Sequence, residues 1–383
     1  MRLFLPLISA SFLFVTAGFA SAQTGFETDA PHAIILDHDS GIVLYEKDAR
    51  NAVAPASMTK IMTADLVFDQ IKSGRLSLSD TFPVSEDAWR RGGVKSGSST
   101  MFLKVHSKVS VEDLLRGVII QSGNDACIAL AQGIAGSEDA FANMMTERAR
   151  ALGLQSATFK NSTGWPHPEH KISTYDLARL ASHSIESYPE FYPIYSERSF
   201  TWNGIKQGNR NPLLGAIDGA DGLKTGHTEA SGYGLVGTAI RDGKRRIIVI
   251  NGLESKAARR NTARQLMSAA FSRFEILNIR KKGDVAAELD VYLGSANSVK
   301  ALVPYDISLG VARANGGDNI KVQMRHPKEL VAPIAKGQQI GELTISRPGT
   351  PPQIVPLLAQ DDVAAKKGIS RAIAVLKKKI GGA

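Results

Sequence analysis

Near Arg280-Lys281-Lys282-Gly283-Asp284 the hydrophobic pattern of this chain changes its period, and that break constrains the fold more than any other feature. Ahead of it run long apolar stretches at helical spacing, with two strand-like hairpins among them; behind it come short alternating segments cut by Gly, Pro and Asn. One core cannot serve both patterns. At 383 residues the chain has room for two domains, each with a core of its own.

The first region opens with a predicted hairpin, Ala33 to Asp37 and Ile42 to Tyr45 around His38-Asp39-Ser40-Gly41. A helix is predicted from Ser57 to Ser73, closed by Gly74, and the pattern stays largely helical to Ser184. Val111 to Ile120, Asn124 to Ile134 and Phe141 to Leu152 are its apolar runs. Strands follow at Gly232 to Ile240 and Arg246 to Asn251, joined by the turn dipeptide Asp242-Gly243, and Thr262 to Asn278 reads as one more helix. Beyond the break, Ala287 to Leu293, Val299 to Val303, Ile320 to Met324, Gly341 to Ile345 and Gln353 to Leu358 read as a small all-β module. The expected division is a leader over 1–22, a main domain over 23–280, the β module over 281–361 and a basic tail over 362–383.

Both ends point to a compartment. Arg2, the apolar run Leu3 to Phe19 and the small-x-small pattern Ala20-Ser21-Ala22 read as a secretory signal cleaved before Gln23. The expectation is a protein exported across the cytoplasmic membrane. In the tail, Ile369, Ala372, Ile373, Leu376 and Ile380 share one helical stripe opposite Lys367, Arg371 and Lys378, as in a helix lying in a membrane interface. Packing on the protein is the alternative. Of a formal net charge of +9, six basic residues and no acidic ones fall between Val363 and Ala383. A surplus kept in a tail, rather than on a folded face, argues against nucleic acid. With a single cysteine, Cys127, no intrachain disulfide can form.

Three short motifs carry the chemistry: Ser57-Met58-Thr59-Lys60, Ser122-Gly123-Asn124 and Lys224-Thr225-Gly226. Each is weak alone; the set, in this order, is strong. Ser57 follows Pro55-Ala56 at a helix start, and Lys60 falls on the same face three residues on. A hydroxyl attacks only when a base removes its proton, and a neutral lysine amine can do so if its pKa drops from about 10.4 to ~7–8. Burial and a second cation, with Lys224 the candidate, would supply the shift. Ser122 and Asn124 suit a proton relay to a leaving amine and a grip on a substrate carbonyl, or simply a helix cap. Lys224 and Thr225 on a strand edge suit a carboxylate, with Gly226 letting backbone approach. Arg259 and Arg260 add a further cation or form a solvated helix face. Histidines show no metal-ligand spacing: Pro168 interrupts the His167-Pro168-Glu169-His170 cluster. Neither metal nor cofactor is called for.

On Pro55-Ala56-Ser57-Met58-Thr59-Lys60-Ile61-Met62-Thr63, Gln121-Ser122-Gly123-Asn124-Asp125-Ala126 and Asp221-Gly222-Leu223-Lys224-Thr225-Gly226-His227-Thr228, the chain resembles the low-molecular-mass penicillin-binding serine D-alanyl-D-alanine carboxypeptidases. The resemblance spans nearly the whole chain beyond the leader. It implies an α+β, β-lactamase/transpeptidase-like domain, with an antiparallel sheet flanked by helices, then the β module and the tail. It also implies roles: Ser57 the acylated nucleophile, Lys60 its base, Ser122 the proton relay, Asn124 the carbonyl ligand. Lys224, Thr225 and Arg259 would take the terminal carboxylate beside Gly226, and the backbone N–H groups of Ser57 and His227 would form the oxyanion hole. The implied substrate is the stem pentapeptide of peptidoglycan, the implied inhibitors are β-lactams, and the implied location is the periplasm, peripheral to the inner membrane. The short span from Ser57 to Ser122 leaves no room for the large insertion of another carboxypeptidase group. Transpeptidase or endopeptidase action, and a silent cell-wall scaffold, are the alternatives. A class A β-lactamase is the nearest rival, but no glutamate between Asp125 and Leu223 stands four residues ahead of an asparagine.

Overall fold

The computed structural model describes residues 26–315, 320–347 and 351–380. The expected leader and its cleavage site lie outside the described residues. The first unit is built on five antiparallel strands: β1 (His32–Asp37), β2 (Val43–Lys47), β3 (Ala220–Thr228), β4 (Gly232–Arg241) and β5 (Lys244–Leu253), in spatial order β2-β1-β5-β4-β3. Asp242 and Gly243 both have positive φ (50° and 71°), as a two-residue hairpin turn of matching twist requires. β5 reads Ile247-Ile248-Val249-Ile250 without alternation because both faces are covered. Ile247 and Val249 pack into the larger cluster with Ile34 and Leu36, whereas Ile248 and Ile250 pack with Ala33, Ile35 and Leu266.

Helices α1 (Lys60–Lys72), α2 (Glu86–Gly92), α3 (Val111–Arg116), α4 (Asn124–Ala135), α5 (Glu138–Ala151) and α6 (Thr174–Ser187) supply the larger cluster, and α7 (Lys256–Ser272) covers the other face. Ser137, Ser173 and Ser255 cap α5, α6 and α7 by accepting the N–H three residues on. The helix expected over Thr262 to Asn278 ends at Ser272. Phe274–Arg280 is instead a strand, paired antiparallel with Ile307–Ala312. Propensity reads Phe274-Glu275-Ile276-Leu277 either way; pairing with a distant strand decides it.

The second unit is all-β. Its six-stranded sheet runs Lys321–Arg325, Gln339–Ser346, Gln353–Ala359, Ser298–Leu302, Val285–Tyr292, Leu330–Val331, over a core that includes Leu289, Val299, Ala301, Leu343, Val355 and Leu357. The strand at Phe274 leads into it, with Phe274 itself buried against Phe26 and Tyr45 of the first unit, and Val363 and Ala365 still bridge to Ile334 and Gly294. Arg347 ties it to the first unit, its guanidinium reaching the carbonyls of Val43 and Gly310. Then comes α8 (Gly368–Ile380), on which Ile369, Ile373 and Leu376 are exposed. Among the described residues no helix is long and apolar enough to cross a membrane.

Candidate active site

Ser57 lies in a single 3-10 turn, Ala56–Thr59, that runs directly into α1. That geometry puts Lys60 under it: the two side chains meet at 3.0 Å, Ser57 half-exposed and Lys60 buried. The Lys60 amine also donates to Asn124 Oδ1 at 2.8 Å and to the Thr163 carbonyl at 2.6 Å. A neutral amine has two N–H bonds and one lone pair. With both N–H groups spent on Asn124 and Thr163, the lone pair is left facing the Ser57 hydroxyl. Burial drives the Lys60 pKa down, and the Arg210 guanidinium pushes the same way.

The second motif owes its position to strained backbone. A π-turn at Gly117–Gln121 ends in Ser122, which holds φ 61° and ψ 30° although it carries a side chain and is buried. Non-glycine residues seldom adopt that conformation, and where they do a site often needs it. Here it turns the Ser122 hydroxyl to Lys224, whose Nζ lies 3.0 Å away. Asn124 enters α4 without capping it: no side-chain bond closes that helix start. Its Oδ1 orients Lys60, and its Nδ2 donates to Ser98 Oγ at 2.9 Å. Asp125 keeps Ser98 within reach, accepting Thr100 Oγ1–H, Met101 N–H and Leu103 N–H at 2.7 to 3.0 Å.

Lys224, Thr225 and Gly226 sit on β3, the edge strand beside the Ser57 turn. A Cβ on Gly226 would come within 2.7 Å of the Pro55 carbonyl oxygen and 3.2 Å of the Met58 nitrogen, so glycine sets how closely strand and nucleophile approach. An edge strand has one neighbour only, and Asp221 anchors this one. Its carboxylate accepts from Arg245 at 2.8 and 2.7 Å, from Thr238 at 2.6 Å and from Tyr192 at 3.0 Å. Lys224 is buried, and desolvation followed by repulsion from Lys60 holds its pKa far below the ordinary lysine value. The repulsion between the two lysines is mutual and disfavours their being charged together.

Arg259 is buried rather than on a solvated face. It donates to the Gly226 carbonyl at 3.4 Å, lies 5.6 Å over the Tyr233 ring, and leaves its Nε without a partner. Arg260 is exposed and bonds only its neighbour Asn261. His227 is exposed and stacks on Tyr233 at 3.7 Å.

Several contributors escaped sequence reasoning. Thr163 reaches Lys60 because the Asn161 side chain gathers the N–H groups of Thr163, Gly164 and Trp165. Gly164, at φ 85°, packs so tightly on the Ala56 carbonyl that no Cβ fits. His170 is buried and neutral, with burial taking its pKa to about 4. Its Nδ1 accepts the Lys160 N–H, so its Nε2–H donates to Thr59 within the nucleophile's turn. Pairings over such separations leave no local signal. No described group of His, Cys, Asp and Glu could hold a metal ion.

A family model described as "D-alanyl-D-alanine carboxypeptidase" matches residues 18–255, and one described as "Penicillin-binding protein 5, C-terminal domain" matches 274–365. D-alanyl-D-alanine carboxypeptidase DacC of Escherichia coli (strain K12) is 36% identical over 364 residues, covering 92% of this chain and 89% of the relative. Among solved structures, DacD of Francisella tularensis aligns with a TM-score of 0.74 at 30% identity, over 93% of this chain and 98% of the other. Penicillin-binding protein 5 of Haemophilus influenzae aligns at 0.68 and 35%, over 88% and 98%.

Proposed function

The chain belongs to the D-alanyl-D-alanine carboxypeptidase family and is a serine-type carboxypeptidase, and from that premise we propose how its residues remove a terminal D-alanine from a peptidoglycan stem pentapeptide. The carboxylate of the substrate lies against Lys224 and Thr225, with Arg259 behind them and Arg210 nearby. This places the scissile carbonyl over Ser57. Neutral Lys60 takes the Ser57 proton as Oγ attacks, and the oxyanion forms against the backbone N–H groups of Ser57 and His227. The proton taken up by Lys60 is then relayed through the Ser122 hydroxyl, held by Lys224, to the departing amine, which leaves Ser122 unchanged and Lys60 neutral again. The acyl group stays on Ser57 until water, activated by Lys60, releases it.

The observation that carries this reading is the buried Lys60 amine held between Asn124 Oδ1, the Thr163 carbonyl and Ser57 Oγ, so that in its neutral form the two N–H bonds go to the first two and the lone pair to Ser57. Asn124 is assigned first to that task. It binds a substrate carbonyl only by exchanging Ser98 for it, because its Nδ2 is already engaged. The β-lactamase alternative lacks its deacylating residue: the buried Glu138 is spent on Ser162 and Arg91. Benzylpenicillin is therefore expected to acylate Ser57 and leave slowly. Mass spectrometry of the Ser57 peptide after penicillin treatment tests this, alongside D-alanine release from a pentapeptide. An unmodified Ser57, or rapid penicillin turnover, overturns it.

We also propose that the mature protein works in the periplasm, with α8 lying on the inner membrane. Ile369, Ile373 and Leu376 stand uncovered by protein on a helix that also bears Arg371, which suits an anionic lipid surface. Deleting the tail from Lys366 onward should move the protein from the membrane pellet to the soluble fraction; a truncated form that stays in the pellet refutes the anchor.

A further inference from the structure

The reaction assigned above leaves one buried carboxylate close to Lys60 without a task. Glu138 opens α5 directly after its cap Ser137, where the helix dipole favours a negative charge, and it is 7% exposed. One oxygen, Oε1, accepts both the Ser162 N–H at 3.1 Å and the Ser162 hydroxyl at 2.7 Å. The other accepts from Arg91 of α2 at 2.8 Å. Arg91 in turn lies 5.3 Å over the ring of Trp165. Three segments remote in sequence thus close on one side chain.

Ser162 directly precedes Thr163, whose carbonyl receives the Lys60 amine at 2.6 Å. Asn161 takes up the N–H groups of Thr163, Gly164 and Trp165, but not that of Ser162. Glu138 supplies the missing acceptor, which a buried N–H requires. The Ser162 carbonyl accepts from Thr63 at 2.7 Å, so two successive carbonyls of this loop grip α1 one turn apart. The loop holds Lys60 only as firmly as it is itself held from behind, and the group behind it is Glu138.

We propose that Glu138 is a positioning residue for acylation: through Ser162 it fixes the Thr163 carbonyl against the Lys60 amine, so that the lone pair meets Ser57. The proposal rests on Lys60 being the base in the carboxypeptidase reading above. Both Glu138 oxygens are taken, so it acts through Lys60 and not on substrate or water. Its charge has a second effect. Lys60 faces Lys224, Arg210, His170, Cys127, Asp125 and Glu138. Burial lowers the Lys60 pKa, and the Glu138 carboxylate partly offsets that shift.

The test is the single-turnover rate constant for labelling of Ser57 by benzylpenicillin, measured against pH in the full chain as wild type and as two variants. That constant refers only to molecules that label, so unfolded protein lowers the amplitude and leaves the rate untouched. In Glu138→Ala the loop loses its support, and the plateau rate should fall about tenfold to a hundredfold. In Glu138→Gln the amide oxygen still accepts from Ser162, which should bring the plateau back to within about threefold of the wild type. The charge no longer favours the ammonium form of Lys60 there, so the acidic limb of Glu138→Gln should move to lower pH, by roughly half a unit. A wild-type rate in Glu138→Ala, a Glu138→Gln form as slow as Glu138→Ala, or an acidic limb that stays in place overturns the assignment and leaves the carboxypeptidase intact. No labelling of the wild type instead sinks the reading of Ser57 and Lys60 themselves.

Discussion

The two units of this chain bury different things. Among the described residues, every buried polar or charged side chain, from Thr28 to Thr262, lies in the first unit; the second has a core of aliphatic residues such as Leu289, Val299, Val355 and Leu357. Burying Lys60, Lys224, Asp65 or Arg259 costs stability unless partners compensate, and Arg259 Nε and Asp65 Oδ2 have none by hydrogen bonding. Such perturbed groups gather at functional sites, as Lys60 and Lys224 do, and also in structural ion pairs, as in Asp65 with Arg148. The β unit shows the opposite: an aliphatic core, joined to the first unit where Phe274 packs against Phe26 and Tyr45 and where the Arg347 guanidinium reaches the Val43 carbonyl. The contrast teaches that the chemistry sits where the desolvation cost is paid.

Four experiments break or sharpen that contrast. Lys60→Ala removes the buried base and should slow acylation by benzylpenicillin about 10²–10⁴-fold, read as the labelling rate of Ser57. The wild-type rate should fall as pH drops through the lowered Lys60 pKa, because only the neutral amine accepts the proton; the variant should lose that acidic limb. Gly226→Ala forces β3 away from Pro55 and Met58 and should cost about 10²-fold in kcat/KM for D-alanine release, since displacement of that order misaligns the reacting atoms. Leu357→Ala empties a fully buried position in the β unit and should destabilise that unit by ~2–5 kcal/mol, seen as an earlier calorimetric transition, while penicillin labelling persists. Loss of labelling there would mean that the units fold as one. His170→Gln is the mildest. With its folded pKa depressed to about 4, neutral His170 contributes stability above pH 6.5 that is lost as pH falls toward 4. The variant's melting temperature should depend less steeply on pH across that window, with little change at pH 8.

Where a feature was encoded in neighbouring residues, the sequence revealed it. The β1–β2 and β4–β5 hairpins, the helix behind Ser57, five strands of the β module and the three motifs all follow from alternation, helical spacing or turn dipeptides. The strand Phe274–Arg280 did not, because its residues suit a helix as well and only pairing with Ile307–Ala312 settles them. β3 is legible only in part: Lys224 and Thr225 suit a strand edge, but nothing in the polar, glycine-rich approach Asp221-Gly222-Leu223 marks Asp221 as the anchor that holds that strand in place.

Residue types and their order therefore determined the reaction: a serine, two lysines and a carboxylate-binding strand are recognisable without coordinates. The tertiary structure decided which lysine faces which hydroxyl, that a carbonyl from Thr163 and an amide from Asn124 consume the donors of Lys60, and that Arg210 reinforces its depressed pKa. These relations join residues 64 and 103 positions apart. Local periodicity encodes which face of an element is apolar, but it holds no record of which distant polar group that element will meet once water has been excluded.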